Sequence, residues 1–363
     1  MTPKSIPEIQ EAVRALPKLH ARGAGTKTAL HTNHDAEILD MRHLSGVIEY
    51  DPQEFVLTAY AGTPVAEIEK LLAEKGQYLP FDPLLSERGA TLGGTVAANA
   101  SGPGRFRYGG VRDFLIGAKF VDGNGTLLRG GGKVVKNAAG FDYPKLMVGA
   151  LGKLGVLVEL TFKVFPKPEG YMTLCIEKSS LGETIKTLYT LNTTPLDVET
   201  LDFGPVAPTL RWLRSHQAAA VPSAPSPVGT GEGFWLAVRV GGLVNGLAAR
   251  MERIQQLIGA GEVLRDEHDL AFWRGAREFD WAPSGTVTKI PITPERIEAL
   301  ERELDAKRRY SVGGNVAYVA APFIHDSFDS LALLGTAQPT KPRAQHAFAQ
   351  RIKQALDPRG KFS

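Results

Sequence analysis

At 363 residues the chain is long enough for two or three domains, each burying its own core. Its 43% apolar and 22% charged residues are an ordinary globular composition, and the net charge of +3 is scattered, leaving no basic stripe for nucleic acid. The single cysteine, Cys175, excludes an internal disulfide and a cysteine-ligated metal or iron–sulfur cluster, so electrons leaving a redox cofactor here would need another protein or a soluble acceptor.

No apolar run approaches the roughly 18 residues of a spanning helix, and Met1 to Gln10 lacks the basic-then-apolar pattern of a signal peptide, so the expected compartment is the cytoplasm. Glu8 to Leu16 has helical spacing, with Ile9, Val13 and Leu16 on one face and Pro17 closing it. A short strand, Lys18 to Arg22, feeds Gly23-Ala24-Gly25-Thr26-Lys27-Thr28, a small-residue turn with free amides, a hydroxyl and a lysine, suited to a pyrophosphate. It is not a nucleotide triphosphatase loop, which needs glycine directly before Lys-Ser/Thr where Thr26 stands. Nor is it the dinucleotide fingerprint, whose third glycine is replaced by Thr28.

Val47 to Tyr50 and Phe55 to Tyr60 read as paired strands around Asp51-Pro52. Thr63 is expected to cap a helix with Pro64 at its first position and Val65, Ile68, Leu71 and Leu72 as the buried stripe. This pattern indicates a small α/β lobe before residue 90 and a second sheet after it. The chain is organised around Thr91 to Val164, whose centre reads Gly93-Gly94-Thr95-Val96-Ala97-Ala98-Asn99-Ala100-Ser101-Gly102. So little side-chain bulk lets the backbone approach something flat and large, and glycine turns with φ > 0 would aim amides into one concavity. Val111 to Val121 and Gly155 to Phe162 read as buried strands, which argues against a plain linker.

Beyond Pro166 and Pro168 strands and helices alternate without a glycine-rich turn. Strands are expected at Met172 to Glu177, Val198 to Phe203, Phe234 to Val240, Thr286 to Ile292 and Asn315 to Ala320. Helices are expected after Leu181, over Leu247 to Ile258, after Thr293-Pro294 and over Ala344 to Leu356, with a surface loop at Ala218 to Gly233. The texture suggests an antiparallel sheet with helices on one face, and residues 170–258 and 259–320 read as two similar halves of it.

The order of Arg22 to Lys27, Tyr50-Asp51-Pro52, Asp82-Pro83, Thr91 to Asn99, Arg112-Asp113-Phe114 and Leu151-Gly152-Lys153-Leu154-Gly155-Val156 resembles the vanillyl-alcohol-oxidase, or PCMH-type, FAD-binding family over nearly the whole chain. Ser101-Gly102-Pro103, Val111 to Phe114, Lys136 to Asp142 and the closing Leu356 to Phe362 resemble most closely the FAD-binding E subunits of glycolate oxidase. The resemblance implies an α+β fold: a two-lobed FAD-binding domain over 1–168 (lobes about 1–90 and 91–168), a ferredoxin-like α/β cap with an antiparallel sheet over 169–343, and a C-terminal helix at 344–363 returning to the first domain. It also implies non-covalent FAD, because no histidine directly follows Gly23-Ala24-Gly25.

By the same resemblance the amides of Arg22, Gly23, Ala24, Gly25, Thr26 and Lys27 would hold the pyrophosphate. Asp82, Pro83, Thr91, Leu92, Gly93, Gly94, Thr95, Ala98, Asn99 and Gly102 would follow the pyrophosphate and flavin edge, and Leu154, Gly155 and Val156 the adenine end. Catalytic relatives carry a segment with two metal-holding histidines; here its counterpart is Tyr310-Ser311-Val312-Gly313-Gly314-Asn315-Val316-Ala317, with Tyr310 and Ala317 at those positions, so no metal is expected. Arg277, with Arg274 as its neighbour, is the candidate for a substrate carboxylate, and Lys136 for the flavin side. Trp273 and Phe279 are expected in the core. The implied function is the FAD-carrying subunit of a glycolate oxidase complex that oxidises a small 2-hydroxy acid and passes electrons to a homologous FAD subunit and an iron–sulfur subunit, reaching a membrane only through such partners. The alternative is a self-sufficient FAD-dependent D-2-hydroxy acid dehydrogenase.

Overall fold

The structure, a computed structural model, describes residues 1–30, 35–132, 141–206, 233–282, 285–322, 327–335 and 347–362. The chain divides into two compact units, one of residues 1–102, 108–167 and 341–363 and the other of residues 103–107 and 168–340.

The first unit opens with α1 (Ile6–Ala15), started by the Ser5 hydroxyl, which accepts the Glu8 N–H. Then come β1 (Leu19–Arg22), β2 (Glu37–Asp40), β3 (Val47–Asp51), β4 (Val56–Tyr60), α2 (Val65–Ala73), β5 (Gln77–Tyr78), α3 (Leu92–Ala98), α4 (Arg105–Tyr108), α5 (Val111–Phe114), β6 (Leu115–Val121), β7 (Leu127–Gly131), α6 (Tyr143–Met147), β8 (Val156–Lys163) and β9 (Phe165–Pro166). β1 and β2 pair in parallel, while five strands form one antiparallel sheet in the order β3-β4-β8-β6-β7. Its core joins Ile9 and Val13 of α1 to Leu19, Leu39, Val121, Val156 and Val158.

The expected division near residue 90 does not follow the sheet. β8 buries Val156, Val158, Leu160 and Phe162, which suits a central strand, and it takes β4 on one side and β6 on the other. Three local expectations also change. Val111 to Phe114 is a helical turn rather than the start of a strand, because the Asp113 carboxylate accepts the Gly110 N–H (2.8 Å) and Ser101 Oγ accepts the Val111 N–H (2.9 Å). The Thr63 hydroxyl does not cap α2; it donates to the Tyr60 carbonyl (2.8 Å) and accepts the Gly46 N–H (2.9 Å), leaving Pro64 at the cap position. The Gly93-Gly94 stretch is a helix, not a run of turns, and neither glycine has positive φ.

The second unit contains β10 (Gly170–Lys178), α7 (Leu181–Asn192), β11 (Val198–Pro205), β12 (Phe234–Gly242), α8 (Val244–Ile258), β13 (Glu262–Arg265), α9 (Asp266–Glu278), β14 (Val287–Pro291), α10 (Ile297–Glu301), β15 (Arg308–Ser311), β16 (Val316–Val319) and β17 (Leu331–Leu334). All eight strands join one sheet, ordered β13-β10-β12-β11-β15-β16-β14-β17. Within β10 to β13 the order is fourth, first, third, second. Within β14 to β17 it is the same order reversed, so two ferredoxin-like halves meet at the β11–β15 pair. The halves span 170–265 and 287–334, which moves the expected boundary at 258/259 past β13.

Alternation along the strands gives this sheet two distinct faces. On one, Leu174, Phe203, Val238, Val240, Tyr310, Ala317 and Val319 pack with Leu188 and Leu191 of α7 and Met251 and Ile254 of α8. On the other, Trp235 and Ala237 pack under Phe272, Trp273 and Ala276 of α9, and two buried ion pairs sit beside them: Arg239–Asp269 (2.5 Å) and Arg309–Asp202 (2.7 Å). Trp273 and Phe279 are core residues, as expected from sequence.

After residue 340 the chain rejoins the first unit through α11 (Ala347–Leu356). Asp357 accepts the N–H groups of Lys361 (2.8 Å) and Phe362 (2.9 Å), and the Lys361 ammonium donates to the carbonyls of Val13, Arg14 and Leu16 at the end of α1. Phe362 forms a parallel bridge to Leu19 at the start of β1.

Candidate functional site

In the first unit, segments singled out by sequence gather around the short helix α3 and the Ser101-Gly102 stretch that follows it. Thr91 caps the helix, its hydroxyl accepting the Gly94 N–H (3.3 Å), and the N–H groups of Leu92 and Gly93 bond back to the carbonyls of Thr63 (3.0 Å) and Ala61 (2.7 Å). The turn after β1 touches this start through bare backbone: a Cβ on Gly23 would lie 2.2 Å from Thr91 Oγ1. Within the turn Gly25 takes φ +70°, and the buried Lys27 places its ammonium 3.4 Å from Thr26 Oγ1. Asp82-Pro83 runs beside Ser101-Gly102: Pro83 and Ser101 form an antiparallel bridge, and a Cβ on Gly102 would lie 2.6 Å from the Asp82 carbonyl oxygen.

At the other end, Asn99 closes α3 in the left-handed region, where a short polar side chain is tolerated. The Gly149 N–H bonds to the Val96 carbonyl (3.0 Å) and the Leu151 N–H to the Ala97 carbonyl (2.9 Å). Leu154, Gly155 and Val156 lead away from this junction into β8. Gly155 and Val156 are buried, and a Cβ on Gly155 would strike the Phe120 ring at 2.8 Å. Sequence reading missed Gly149 and named Leu151 only as the opening of the Leu151 to Val156 segment, since the link of both to α3 is main chain only.

The side of α3 left partly open carries Gly93, Gly94 and Ala97, while Leu92, Thr95, Val96 and Ala98 are buried. A Cβ on Gly93 would lie 2.9 Å from that of Ala61, but one on Gly94 meets only Thr91 Oγ1 at 3.2 Å. Thr95 Oγ1 is buried with no hydrogen-bond partner among the described residues. Main-chain donors, hydroxyls and a helix face without side chains suit a dinucleotide that carries a pyrophosphate and a flat ring, so these residues fit FAD.

Arg277 is half-buried in the last turn of α9, Arg274 is exposed one turn earlier, and Lys136 lies outside the described residues. Tyr310 and Ala317 are directly opposite each other across β15 and β16, and both are fully buried. The Tyr310 ring stacks on Phe203 (4.9 Å between centroids) and its hydroxyl donates to Glu301, so the position serves the core. Among the described residues no group of three or more His, Cys, Asp or Glu side chains is placed to hold a metal, and no helix is long and apolar enough to cross a membrane.

On the α9 side of the second sheet, Arg309, Tyr318 and Lys289 form a cross-strand row. Sequence reading passed over Lys289, since a lysine within Val287-Thr288-Lys289-Ile290 reads as a surface position. In the structure it is only 8% exposed, and burial, helped by the Arg105 guanidinium, pushes its amine down from 10.5 to about 8. The unfolded chain therefore binds the extra proton between those two values, so this group's contribution to stability rises with pH across the window. Relative to Lys289→Met, the wild type should gain about 3 kcal/mol of stability between pH 8 and pH 10.5. Urea unfolding of both proteins at several pH values checks this, and a gap that does not change with pH would contradict it.

A family model described as FAD binding domain matches residues 1–131 and sets the class. Glycolate oxidase subunit GlcE of Escherichia coli (strain K12) is 31% identical over 98% of this chain and 94% of its own length. Glycolate oxidase subunit GlcD of Bacillus subtilis (strain 168) is 28% identical over 67% of this chain and 50% of that protein. The solved structure of an alkyldihydroxyacetonephosphate synthase shares the fold, with a TM-score of 0.71 at 14% identity over 99% of this chain and 74% of that one. The chain belongs to the family of the glycolate oxidase E subunit, among the PCMH-type FAD-binding proteins.

Proposed function

We propose that this chain is the FAD-carrying subunit of a glycolate oxidase-type complex, an oxidoreductase that supports conversion of glycolate or a related 2-hydroxy acid to the 2-oxo acid. The observation that carries this reading is the gathering of the turn after β1 and Gly149 to Leu151 on the bare helix α3, with Asp82-Pro83 against the Ser101-Gly102 stretch that follows it, in a chain that matches a glycolate oxidase subunit over nearly its whole length. In this reading the amides of Arg22 to Lys27 bind the FAD pyrophosphate. Asp82, Pro83, Thr91 to Thr95, Ala98, Asn99 and Gly102 line the flavin edge, and Leu154 to Val156 hold the adenine end.

Bound FAD would supply the two-electron acceptor. Arg277 is the residue that would orient the substrate carboxylate by charge-assisted hydrogen bonding, with Lys136 the sequence candidate on the flavin side. The onward path runs to a homologous FAD subunit and an iron–sulfur subunit, because Cys175 is the only cysteine here and its thiol is raised far above its ordinary range by burial. The purified chain is expected to be yellow, and anaerobic glycolate or D-lactate is expected to leave the absorbance near 450 nm unchanged until the partner subunits are added. Bleaching by the chain alone would instead establish the self-sufficient dehydrogenase, and protein that stays colourless when FAD is supplied would remove the flavin reading.

A further inference from the structure

The loop that joins β15 to β16 holds a conformation that its sequence resists. Val312, Gly313 and Gly314 take φ of +58°, +61° and +86° in succession. Glycine adopts this left-handed region freely, whereas a β-branched valine stays there only when its surroundings hold it. Here Asp202 accepts the Val312 N–H (3.2 Å), the Leu201 carbonyl accepts the Gly313 N–H (2.8 Å), and the Asn315 side-chain amide donates to the Val312 carbonyl (2.9 Å). The loop so held presents bare backbone to an aromatic ring: a Cβ on Gly313 would lie 2.7 Å from Phe106 Cε2 and 3.3 Å from Cδ2. Phe106 packs against the apolar core of this second unit.

The next residue has a seat of its own. Arg107 Nη1 donates to the Glu199 carboxylate (2.5 Å) and to the Asp197 carbonyl (3.2 Å), and its Nη2 lies 3.5 Å from the Asp197 carboxylate. Glu199 is only 5% exposed, a depth at which a carboxylate is tolerated because a guanidinium meets it. It is also the bulged residue of β11, whose register against β12 skips between Val198 and Thr200, and Asp197 before it takes φ +50°. Bulges re-aim side chains in this way. Both seats therefore carry irregular backbone, and they receive adjacent side chains of Pro103–Arg107, the stretch that belongs to the second unit although the chain on either side belongs to the first.

Directly before that stretch come Ser101 and Gly102, which are fixed in the first unit. Ser101 bridges Pro83, its hydroxyl accepts the Val111 N–H (2.9 Å), and the Gly102 N–H bonds to the Asp82 carbonyl (2.5 Å). The connection onward is short and stiff: Pro103 has a fixed φ and restricts Gly102, and the Phe106 N–H closes back on the Pro103 carbonyl (3.0 Å). We propose that Phe106 and Arg107 are positioning residues for the flavin. Held on Gly313 and Glu199, they fix the end of the Ser101-Gly102 stretch, so that the second unit sets how tightly the cofactor is bound and how its ring is oriented. The proposal rests on the reading that the flavin edge follows Asp82, Pro83 and Gly102.

The test is fluorescence titration of FAD into the deflavinated full-length chain, with the visible circular dichroism of the bound flavin as a second readout. Phe106→Ala and Arg107→Met should each weaken FAD binding about ten-fold and alter the visible dichroism. Gly313→Ala, which forces an atom against the Phe106 ring, should do the same from within the second unit. Leu264→Ala is the control. It opens a cavity among Trp235, Phe272 and Trp273 on the opposite face of the sheet, so it should lower the melting temperature while FAD affinity and dichroism stay as in wild type. Phe106→Ala and Arg107→Met binding FAD as wild type does, or Leu264→Ala weakening FAD as much as they do, would overturn the proposal and leave the flavin reading intact. Wild type that takes up no FAD would instead sink that reading. Should Phe106→Ala fail to fold, Arg107→Met combined with Glu199→Gln, which removes the ion pair without stranding a buried charge, decides by the same two readouts.

Discussion

Asp202→Ala is expected to lower the unfolding free energy by about 3–5 kcal/mol, as measured by urea denaturation. Asp202 is fully buried in β11 and accepts hydrogen bonds from Arg309 Nε (2.7 Å), Ser311 Oγ (2.7 Å) and the Val312 N–H (3.2 Å). Removing it leaves the Arg309 guanidinium enclosed by three aromatic rings with no opposite charge, and orphans a hydroxyl and an amide at the pair where the two half-sheets join. The loss comes mainly from stranding the partner rather than from the worth of the pair. Replacing both residues together, as Asp202→Leu with Arg309→Met, should therefore recover most of the stability. A single substitution costing under about 1 kcal/mol would show that water reaches this face.

Gly93→Val and Gly94→Val should separate folding from cofactor retention, although the two glycines are adjacent. At Gly93 a side chain drives into the Cβ and carbonyl of Ala61, both 2.9 Å from the new atom, so α3 must leave its seat and both stability and FAD should be lost. At Gly94 the new atom meets only the capping hydroxyl at 3.2 Å, and valine suits a helix interior somewhat better than glycine. The apo form of Gly94→Val should melt at or near the wild-type temperature, yet purify without FAD. If it retained stoichiometric FAD, the bare side of α3 would not be where the flavin lies.

Much of the fold was legible where burial is one-sided and apolar. α1, α7, α8 and the strands β3, β4, β6 and β8 follow their hydrophobic periodicity, whereas the edge strand β7, with no buried residue, leaves no such trace. α9 was missed because its buried stripe begins with Asp269, a carboxylate made tolerable only by Arg239 and Thr173 from distant strands. β15 was missed for the same reason: Arg308-Arg309-Tyr310-Ser311 reads as a solvated run until Asp202 and Glu301 are seen to neutralise it. At the candidate site the small-residue segments stood out because close approach leaves a compositional trace. That α3 is a helix did not, since paired glycines oppose helix formation and what holds them is contact with Ala61 and Thr63.

The return of α11, Lys361 and the Phe362 bridge to the start of the chain sets an order of events during synthesis. A ribosome at about 5–20 residues per second delivers the whole of 168–340 before the lysine that ties off α1 exists, so the second unit can mature while the first is still a partly closed intermediate. Nascent chains arrested before residue 357 should resist protease across the second unit and be cut readily within residues 1–102.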